Sequence, residues 1–174
     1  EAKANMLREM ERDFEGFSKA VRLVMQEAAR GALSGVHGPV SKLIRVEDRY
    51  TTAIETALGA AMQNIIVDDE ASGKAAIQLL KRRDAGRATF LPLSTVTGRR
   101  LSEPSLANMP GYVGVASELA QTDGRYQGIL ENLLGRTVIA ETLDNAIAMA
   151  RKTGNRVRIV TLDGQVMNPG GSMT

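Results

Sequence analysis

Residues 54–67, IETALGAAMQNIIV, and residues 130–140, LENLLGRTVIA, decide the fold because they follow one pattern. Each begins with an apolar helical stretch that ends in Leu-Gly and continues into a strand of branched apolar residues. A helix, a glycine and a second strand are predicted to follow in both copies. The sequence therefore predicts an α/β fold of mixed sheets, built as two pseudo-repeated lobes. A coincidence between two generic α/β units is the alternative.

The segment between the two copies, residues 97–114, is typical of a linker because it is polar and rich in glycine and proline. We place the lobe boundary near Leu106. The expected organisation is a coiled-coil arm over residues 1–31, a first lobe over residues 32–105 and a second lobe over residues 106–174. Both ends of the chain are expected to continue in a longer polypeptide.

The first thirty residues carry apolar side chains at alternating spacings of three and four, which predicts a helix with a coiled-coil seam. Such a stripe fits one partner helix, and that partner is absent from this sequence. The alternative is an amphipathic helix lying on the core of the domain. The seam residues are Leu7, Met10, Phe14, Phe17, Val21, Val24 and Ala28.

The last residues, 164–174, read GQVMNPGGSMT and place two adjacent glycines after a short apolar strand. Glycine reaches positive φ and lets a second backbone approach closely, which an edge that pairs with another chain requires. We therefore expect the strand 165–167 to be a sheet edge used for assembly. A plain surface turn is the alternative.

These features together resemble the hinge domain of the structural maintenance of chromosomes (SMC) ATPases, of bacterial type. The resemblance rests on residues 53–68 and 162–174 and extends over essentially the whole chain. It implies a noncatalytic homodimer in which each half of one hinge meets the opposite half of another. The implied dimer-interface residues are Gln165, Val166, Met167, Asn168, Pro169, Gly170, Gly171 and Ser172.

For the parent protein, the resemblance implies distant ATPase heads and a role in chromosome condensation and segregation. It implies a kleisin and its associated subunits as partners at those heads, and a cytoplasmic, nucleoid-associated location. It also implies a weak, non-specific contact with DNA, for which clustered cations are needed. The candidate DNA contacts are Lys81, Arg82, Arg83, Arg87, Arg99, Arg100, Arg151 and Lys152. Helix-terminal cations that only face solvent are the alternative reading of these clusters.

Composition narrows the chemistry of the domain. The chain has no cysteine, which excludes thiolate chemistry. It has no tryptophan and only 3% aromatic residues, which does not favour a base-stacking platform. A formal charge of +2 is too small to indicate nucleic-acid binding by itself. We predict no catalytic residue, no metal and no cofactor. Asp68, Asp69 and Glu70 are predicted to cap a helix rather than bind a cation, and His37 is predicted to be a turn residue. No apolar run predicts a membrane span.

A different class of protein remains as the rival interpretation. Two α/β repeats could form a regulatory domain that senses a small molecule, with ligand loops at Leu134-Gly135 and Asp163-Gly164. That interpretation requires no coiled coil. A helix following residue 174 in the parent, able to pair with residues 7–28, would favour the hinge.

Overall fold

The computed structural model describes residues 14–174. Its helices are α1 (Lys19–Ala29), α2 (Val40–Leu43), α3 (Thr51–Leu58), α4 (Glu70–Arg82), α5 (Gln127–Leu134) and α6 (Leu143–Lys152). Its strands are β1 (Val36–Pro39), β2 (Ile44–Val46), β3 (Ile65–Val67), β4 (Phe90–Pro92), β5 (Tyr112–Val115), β6 (Ala120–Thr122), β7 (Thr137–Ala140), β8 (Arg158–Thr161) and β9 (Val166–Met167). The elements form two compact units, which consist of residues 14–43 with Ala60–Val96 and of Ile44–Gly59 with Thr97–Thr174.

The first unit is built on a sheet of order β1-β3-β4. The central strand β3 is antiparallel to β1 and parallel to β4, and all three of its residues are buried. The crossover helix α4 presents Ala76, Leu79 and Leu80 to the same core. Helix α1 adds Val21 and Val24 to it.

Among the described residues, helix α1 begins at Lys19, well inside the helix predicted over residues 1–30. Residues 14–17 form turns, with Gly16 at φ 89°, and α1 begins only after Ser18. The Ser18 hydroxyl accepts a hydrogen bond from the Val21 N–H and caps the helix. A glycine in the left-handed region, followed by a new N-cap at Ser18, breaks helical geometry at these positions, so the prediction of one continuous helix through this segment is wrong.

The predicted seam is also wrong at its centre. Val21 and Val24 are 2% and 0% exposed and lie in the core of the first unit, so they do not face a partner helix. Phe17 and Ala28 pack against the same core. Phe14 contacts the ring of Phe17 and lies beneath the ammonium of Lys42. The remaining seam residues, Leu7 and Met10, lie outside the described residues.

The second unit is built on a sheet of order β5-β7-β8-β9. Strands β7 and β8 are parallel and are joined by α6, while β5 and β9 run antiparallel to their neighbours. The side chains of Val138, Met149 and Ile159 are fully buried between this sheet and α6.

Residues 44–59 belong to the second unit, although the sequence places them in the first lobe. Strand β2 pairs with β6 in a separate two-stranded antiparallel sheet, and α3 packs against β8. The predicted boundary near Leu106 therefore differs from the observed division, which falls after Leu43, Gly59 and Val96. The physical cause is this non-local strand pairing, which local sequence composition does not reveal.

The predicted α/β repeat is confirmed. Strands β1, β3 and β4 match β5, β7 and β8 in order and direction, and α4 matches α6. The first strand of each copy carries a register shift beside a glycine, Gly38 and Gly114. In the four-stranded sheet of the second unit, β9 is the strand that has no counterpart in the described three-stranded sheet of the first unit.

Candidate functional site

The glycine-containing segment at the end of the chain folds back on β9. The Val166 N–H donates a hydrogen bond to the Thr174 C=O, and the Thr174 N–H donates to the Val166 C=O, both at 2.9 Å. Met167 and Met173 form an antiparallel bridge. Strand β9 is thus covered on both sides, with Val166 and Met167 each 6% exposed. The prediction that residues 165–167 form the free edge is wrong, because residues 172–174 pair with the outer side of β9 and form the edge instead.

The turn that makes this return possible consists of residues 168–171. The Asn168 N–H donates to the Ser172 C=O at 2.8 Å, and the Gly170 N–H donates to the Asn155 C=O at 2.8 Å. Gly170 and Gly171 have φ values of 91° and 102°, which side-chain-bearing residues rarely adopt. A Cβ at Gly170 would meet no atom within 4 Å. Backbone conformation, rather than space inside this chain, requires glycine here.

Met173 is the exposed large apolar residue of the new edge. Its side chain is 54% exposed, and Ile77 is the other large apolar residue that is similarly exposed among the described residues. Because Ser172 and Thr174 make the backbone hydrogen bonds toward β9, the N–H and C=O of Met173 point away from it. Neither group has a backbone partner within residues 14–174. The edge can therefore accept a further strand.

The residues predicted to form the dimer interface differ in their exposure. Gln165, Pro169, Gly170, Gly171 and Ser172 are exposed, whereas Asn168 is half-buried and hydrogen-bonds the Ser172 hydroxyl through its amide. Of the exposed residues, Gln165 precedes β9, and the others lie in the turn and at the edge. The sequence-based prediction did not include Met173 as the apolar residue of that edge, although its position after two glycines was the available signal.

The basic residues of the first unit lie at the end of α4. Lys81 and Arg82 are in its last turn, and the Arg83 guanidinium contacts the Glu27 carboxylate at 3.4 Å. The Glu27 side chain is only 6% exposed and also contacts Arg30. Arg83 therefore balances a buried acid, while Lys81, Arg82 and Arg87 form no ion pair with the described residues.

The basic residues of the second unit also differ in their surroundings. Arg100 donates to one Glu131 oxygen from Nη2 at 2.6 Å and from Nε at 3.0 Å. This pairing raises the pKa of Arg100 and lowers the pKa of Glu131. Arg99, and Arg151 and Lys152 in the last turn of α6, are exposed and form no ion pair within residues 14–174.

Two further arginines of the second unit are structural. Arg156 contacts the Glu103 carboxylate at 3.3 Å and donates to the Thr153 C=O at 2.7 Å. Arg158 donates to the Ala57 C=O at 2.7 Å, and burial lowers its pKa. Neither guanidinium is placed as a free phosphate ligand.

The acidic run before α4 caps that helix, as predicted. Asp69 is the N-cap, and its carboxylate accepts a hydrogen bond of 2.8 Å from the Ser72 N–H, which lowers the pKa of Asp69. Asp68 lies 2.5 Å from the Nε2 of His37. His37 is in β1 at the register shift, so its assignment to a turn is wrong. The described residues contain no group of three metal-ligating side chains.

The glycines of the rival ligand loops are packed against their own unit. A Cβ on Gly135 would overlap the backbone carbonyls of Arg99 and Glu131, and one on Gly164 would come within 3.0 Å of the Thr56 hydroxyl. The Leu101 N–H donates to the Gly135 C=O at 2.8 Å. The chain itself fills the space that a ligand would need, so the small-molecule-sensing interpretation is not supported.

Among the residues described, none of the helices combines the length and apolar character required to cross a bilayer.

Comparison with known proteins identifies the family. The model of the SMC proteins' flexible hinge domain matches residues 33–150. The chain is 47% identical, over 99% of its length, to the chromosome partition protein Smc of Bacillus subtilis, and 42% identical, over 97%, to that of Lactiplantibacillus plantarum. These alignments cover 15% and 14% of those relatives. The chain belongs to the SMC hinge domain family.

Solved structures agree with this assignment. The hinge domain of Geobacillus stearothermophilus SMC, solved as an asymmetric dimer, matches 99% of this chain and 71% of its own chain at 46% identity and a TM-score of 0.89. The hinge domain of Pyrococcus furiosus SMC matches 97% of this chain and 85% of its own at 30% identity and a TM-score of 0.74. Both describe the same mixed α/β architecture.

Proposed function

We propose that this domain is the homodimerisation hinge of a bacterial chromosome partition protein, where it joins two coiled-coil arms. The observation that carries the proposal is the edge at residues 172–174, with an exposed Met173 and an outward-facing backbone N–H and C=O. An edge of this kind pairs with another chain by adding a strand. The family supports self-association, since the Geobacillus relative is a dimer.

The chain spans about one seventh of the curated relatives it matches, so the rest of the parent protein supplies the other activities. The domain acts mechanically and has no catalytic role, and ATP hydrolysis belongs to distant heads. A kleisin and its associated subunits bind those heads, and the arm pairs with a helix that returns after the hinge. The parent acts in the cytoplasm on the nucleoid.

Dimerisation through the glycine turn is tested by replacing both glycines, Gly170→Ala with Gly171→Ala. Alanine at these positive φ values distorts the turn and displaces the edge, so an untagged copy should no longer co-purify with a tagged one. Gly31→Ala is the matched control because Gly31 has φ 86° and no atom lies within 4 Å of the position that its Cβ would take. Equal co-purification of both variants with their partners would contradict the proposal.

A weak DNA contact is proposed for cations that form no ion pair with any residue between 14 and 174. Arg82, Arg151 and Lys152 lie at the C-terminal ends of α4 and α6. Their side chains are exposed, and an exposed positive charge is all that a non-specific contact with a phosphate requires. Arg83 and Arg100 are less suited, because each is paired with a carboxylate. Arg99 is exposed and stays a candidate.

The DNA contact is tested by fluorescence anisotropy with a labelled duplex over a range of salt concentrations. Replacing Arg151 and Lys152 by alanine should weaken binding for every sequence and reduce the slope of log K against log salt by about 0.9 for each phosphate that is no longer neutralised. Arg83→Ala serves as the control. An unchanged slope in the double variant would show that this cluster does not bind DNA.

A further inference from the structure

We infer that the cavity beside Ser117 in the second unit binds a primary ammonium group carried on an alkyl stem. The site involves neither the edge at Met173 nor the cations proposed to contact DNA. The inference therefore goes beyond the proposed function. It starts from one buried hydroxyl group that the fold leaves without a hydrogen bond.

Ser117 lies in the short 3₁₀ helix Ala116–Leu119, which follows β5, and it is 8% exposed. Its hydroxyl forms no hydrogen bond with any residue between 14 and 174. Among these residues, no side-chain polar atom that is fully sealed from solvent lacks a partner, so the Ser117 oxygen opens onto the cavity that it lines. Buried hydroxyl groups are normally hydrogen-bonded, and this one is available to a ligand.

The cavity has a volume of about 450 Å³. Small-molecule sites have volumes of about 300–1,000 Å³, so the cavity is large enough for an alkylammonium group. It lies between residues 100–101, the 3₁₀ helix that contains Ser117, and α5. Leu101 and Val115 are half-buried and give it apolar walls.

The charge of the cavity comes from Glu118. The Arg100 guanidinium and the Glu131 carboxylate also line it, but they neutralise each other through two hydrogen bonds. The Glu118 carboxylate is exposed and forms no ion pair or hydrogen bond with the described residues. Burial raises the pKa of the nearby Tyr112, and the negative charge of Glu118 raises it further. One uncompensated negative charge therefore acts at this site.

A primary ammonium group matches these side chains. It has three N–H donors and no acceptor. The acceptors available are the Ser117 hydroxyl, the Glu118 carboxylate and the Gln127 amide oxygen, since the Gln127 Nε2 donates to Glu131 at 3.4 Å. The alkyl stem would lie on Leu101 and Val115. An anion is disfavoured, because Arg100 is already paired and Glu118 would repel it.

None of these acceptors belongs to the glycine turns at residues 135 and 164, which the chain itself covers. A metal ion fits the site less well, because the described residues contain no group of three metal-ligating side chains. A primary ammonium on an alkyl stem occurs in free alkylamines and in the lysine side chain of another protein. The experiment below distinguishes these two sources.

Backbone-amide NMR of the full chain, titrated with butylammonium chloride, tests the site. We expect saturable chemical-shift changes at residues 100–101, 115–118 and 127–131. The titration with 1-butanol, which has the same stem without the charge, should give no saturable change at these residues. Sodium chloride at the same ionic strength controls for the effect of salt.

Two variants test the acceptors. Glu118→Gln and Ser117→Ala should each weaken butylammonium binding by about tenfold, because each removes a hydrogen bond to a charged group. Glu141→Gln and Ser105→Ala are the matched controls at exposed positions outside the cavity and should leave binding unchanged. The thermal midpoint without ligand checks that each variant folds, and Glu118→Gln, at an exposed position, keeps the test available if Ser117→Ala does not.

Nα-acetyl-lysine methylamide, which carries the same ammonium on the same four-carbon stem, identifies the source. Tighter binding than that of butylammonium supports a lysine side chain of a protein partner, and weaker binding supports a free amine.

Three results would overturn the inference. They are the absence of saturable binding, equal binding of 1-butanol, and equal weakening by Glu118→Gln and Glu141→Gln. In each case the oligomeric state, measured separately, would still decide the proposed function.

Discussion

The Arg158 guanidinium donates a hydrogen bond of 2.7 Å to the backbone C=O of Ala57, although 101 residues separate them in the chain. Ala57 is near the end of α3, where carbonyl groups have no partner within the helix. Arg158 begins β8, so this bond ties α3 to the sheet of the second unit. It explains in part why residues 44–59 belong to that unit.

We expect Arg158→Ala to lower the free energy of unfolding by about 2 kcal/mol, because a charged hydrogen bond is removed and the Ala57 carbonyl is left without its partner. Urea denaturation followed by circular dichroism measures this change. Arg136→Ala, at an exposed position, is the control and should change stability by no more than about 0.5 kcal/mol. Equal effects of the two variants would show that the bond does not hold α3.

Val24→Ala should lower the free energy of unfolding by about 2 kcal/mol, because Val24 is 0% exposed in the core of the first unit. The neighbouring Arg22→Ala, on the exposed face of α1, is the control. Denaturation is measured at several protein concentrations. If Val24 instead faced a partner helix, its truncation would weaken association and leave the stability of the single chain unchanged.

Asp69→Ala should lower the unfolding midpoint at neutral pH, because the carboxylate that accepts the Ser72 N–H is removed. The pKa of Asp69 is lowered from 3.8 chiefly by that bond, so its charge-dependent stabilisation is present above pH 3.8 and is lost as the pH falls through the folded-state pKa below it.

The control for this prediction is Asp69→Asn, which keeps a capping oxygen but does not titrate. It should retain more of the helix stability at neutral pH and show no loss from this group on acidification. The pH dependence of the thermal midpoint distinguishes the variants. An identical acid response in the unchanged chain and in Asp69→Asn would contradict the assigned role of the carboxylate.

Gly135→Ala should lower the free energy of unfolding by about 2 kcal/mol, because the new Cβ would overlap the carbonyls of Arg99 and Glu131. Gly124→Ala is the matched control, since no atom lies within 4 Å of its Cβ position. Chemical denaturation compares the two. A small effect at Gly135 would mean that the segment 97–101 moves away at little cost.

The local parts of the fold were predictable from the sequence. Strands β3 and β7 are short apolar runs that follow Leu-Gly, and the Asp69 cap precedes an amphipathic helix. Each of these elements can be predicted from residues that are close together in the sequence. The family resemblance, stated from residues 53–68 and 162–174, is confirmed by the comparisons. The edge near the glycines was expected, but it lies at Met173 rather than at 165–167.

The non-local parts could not be predicted in the same way. The three-residue strands β2 and β6 pair across more than seventy residues, and strands this short have no distinctive periodicity. The apolar stripe of α1 is equally consistent with packing on the core of its own chain and with packing on a partner helix, because either one would bury a single face of the helix. Only the tertiary position of Val21 and Val24 distinguishes these cases.

The central claim, homodimerisation through the edge at Met173, is tested most directly by sedimentation velocity over a dilution series from tens of micromolar to tens of nanomolar. The account predicts a dimer of the unchanged chain that persists on dilution, and a shift toward monomer for Met173→Lys at the same concentrations. A chain that sediments at its single-copy mass of 18.7 kDa throughout the series would contradict the claim.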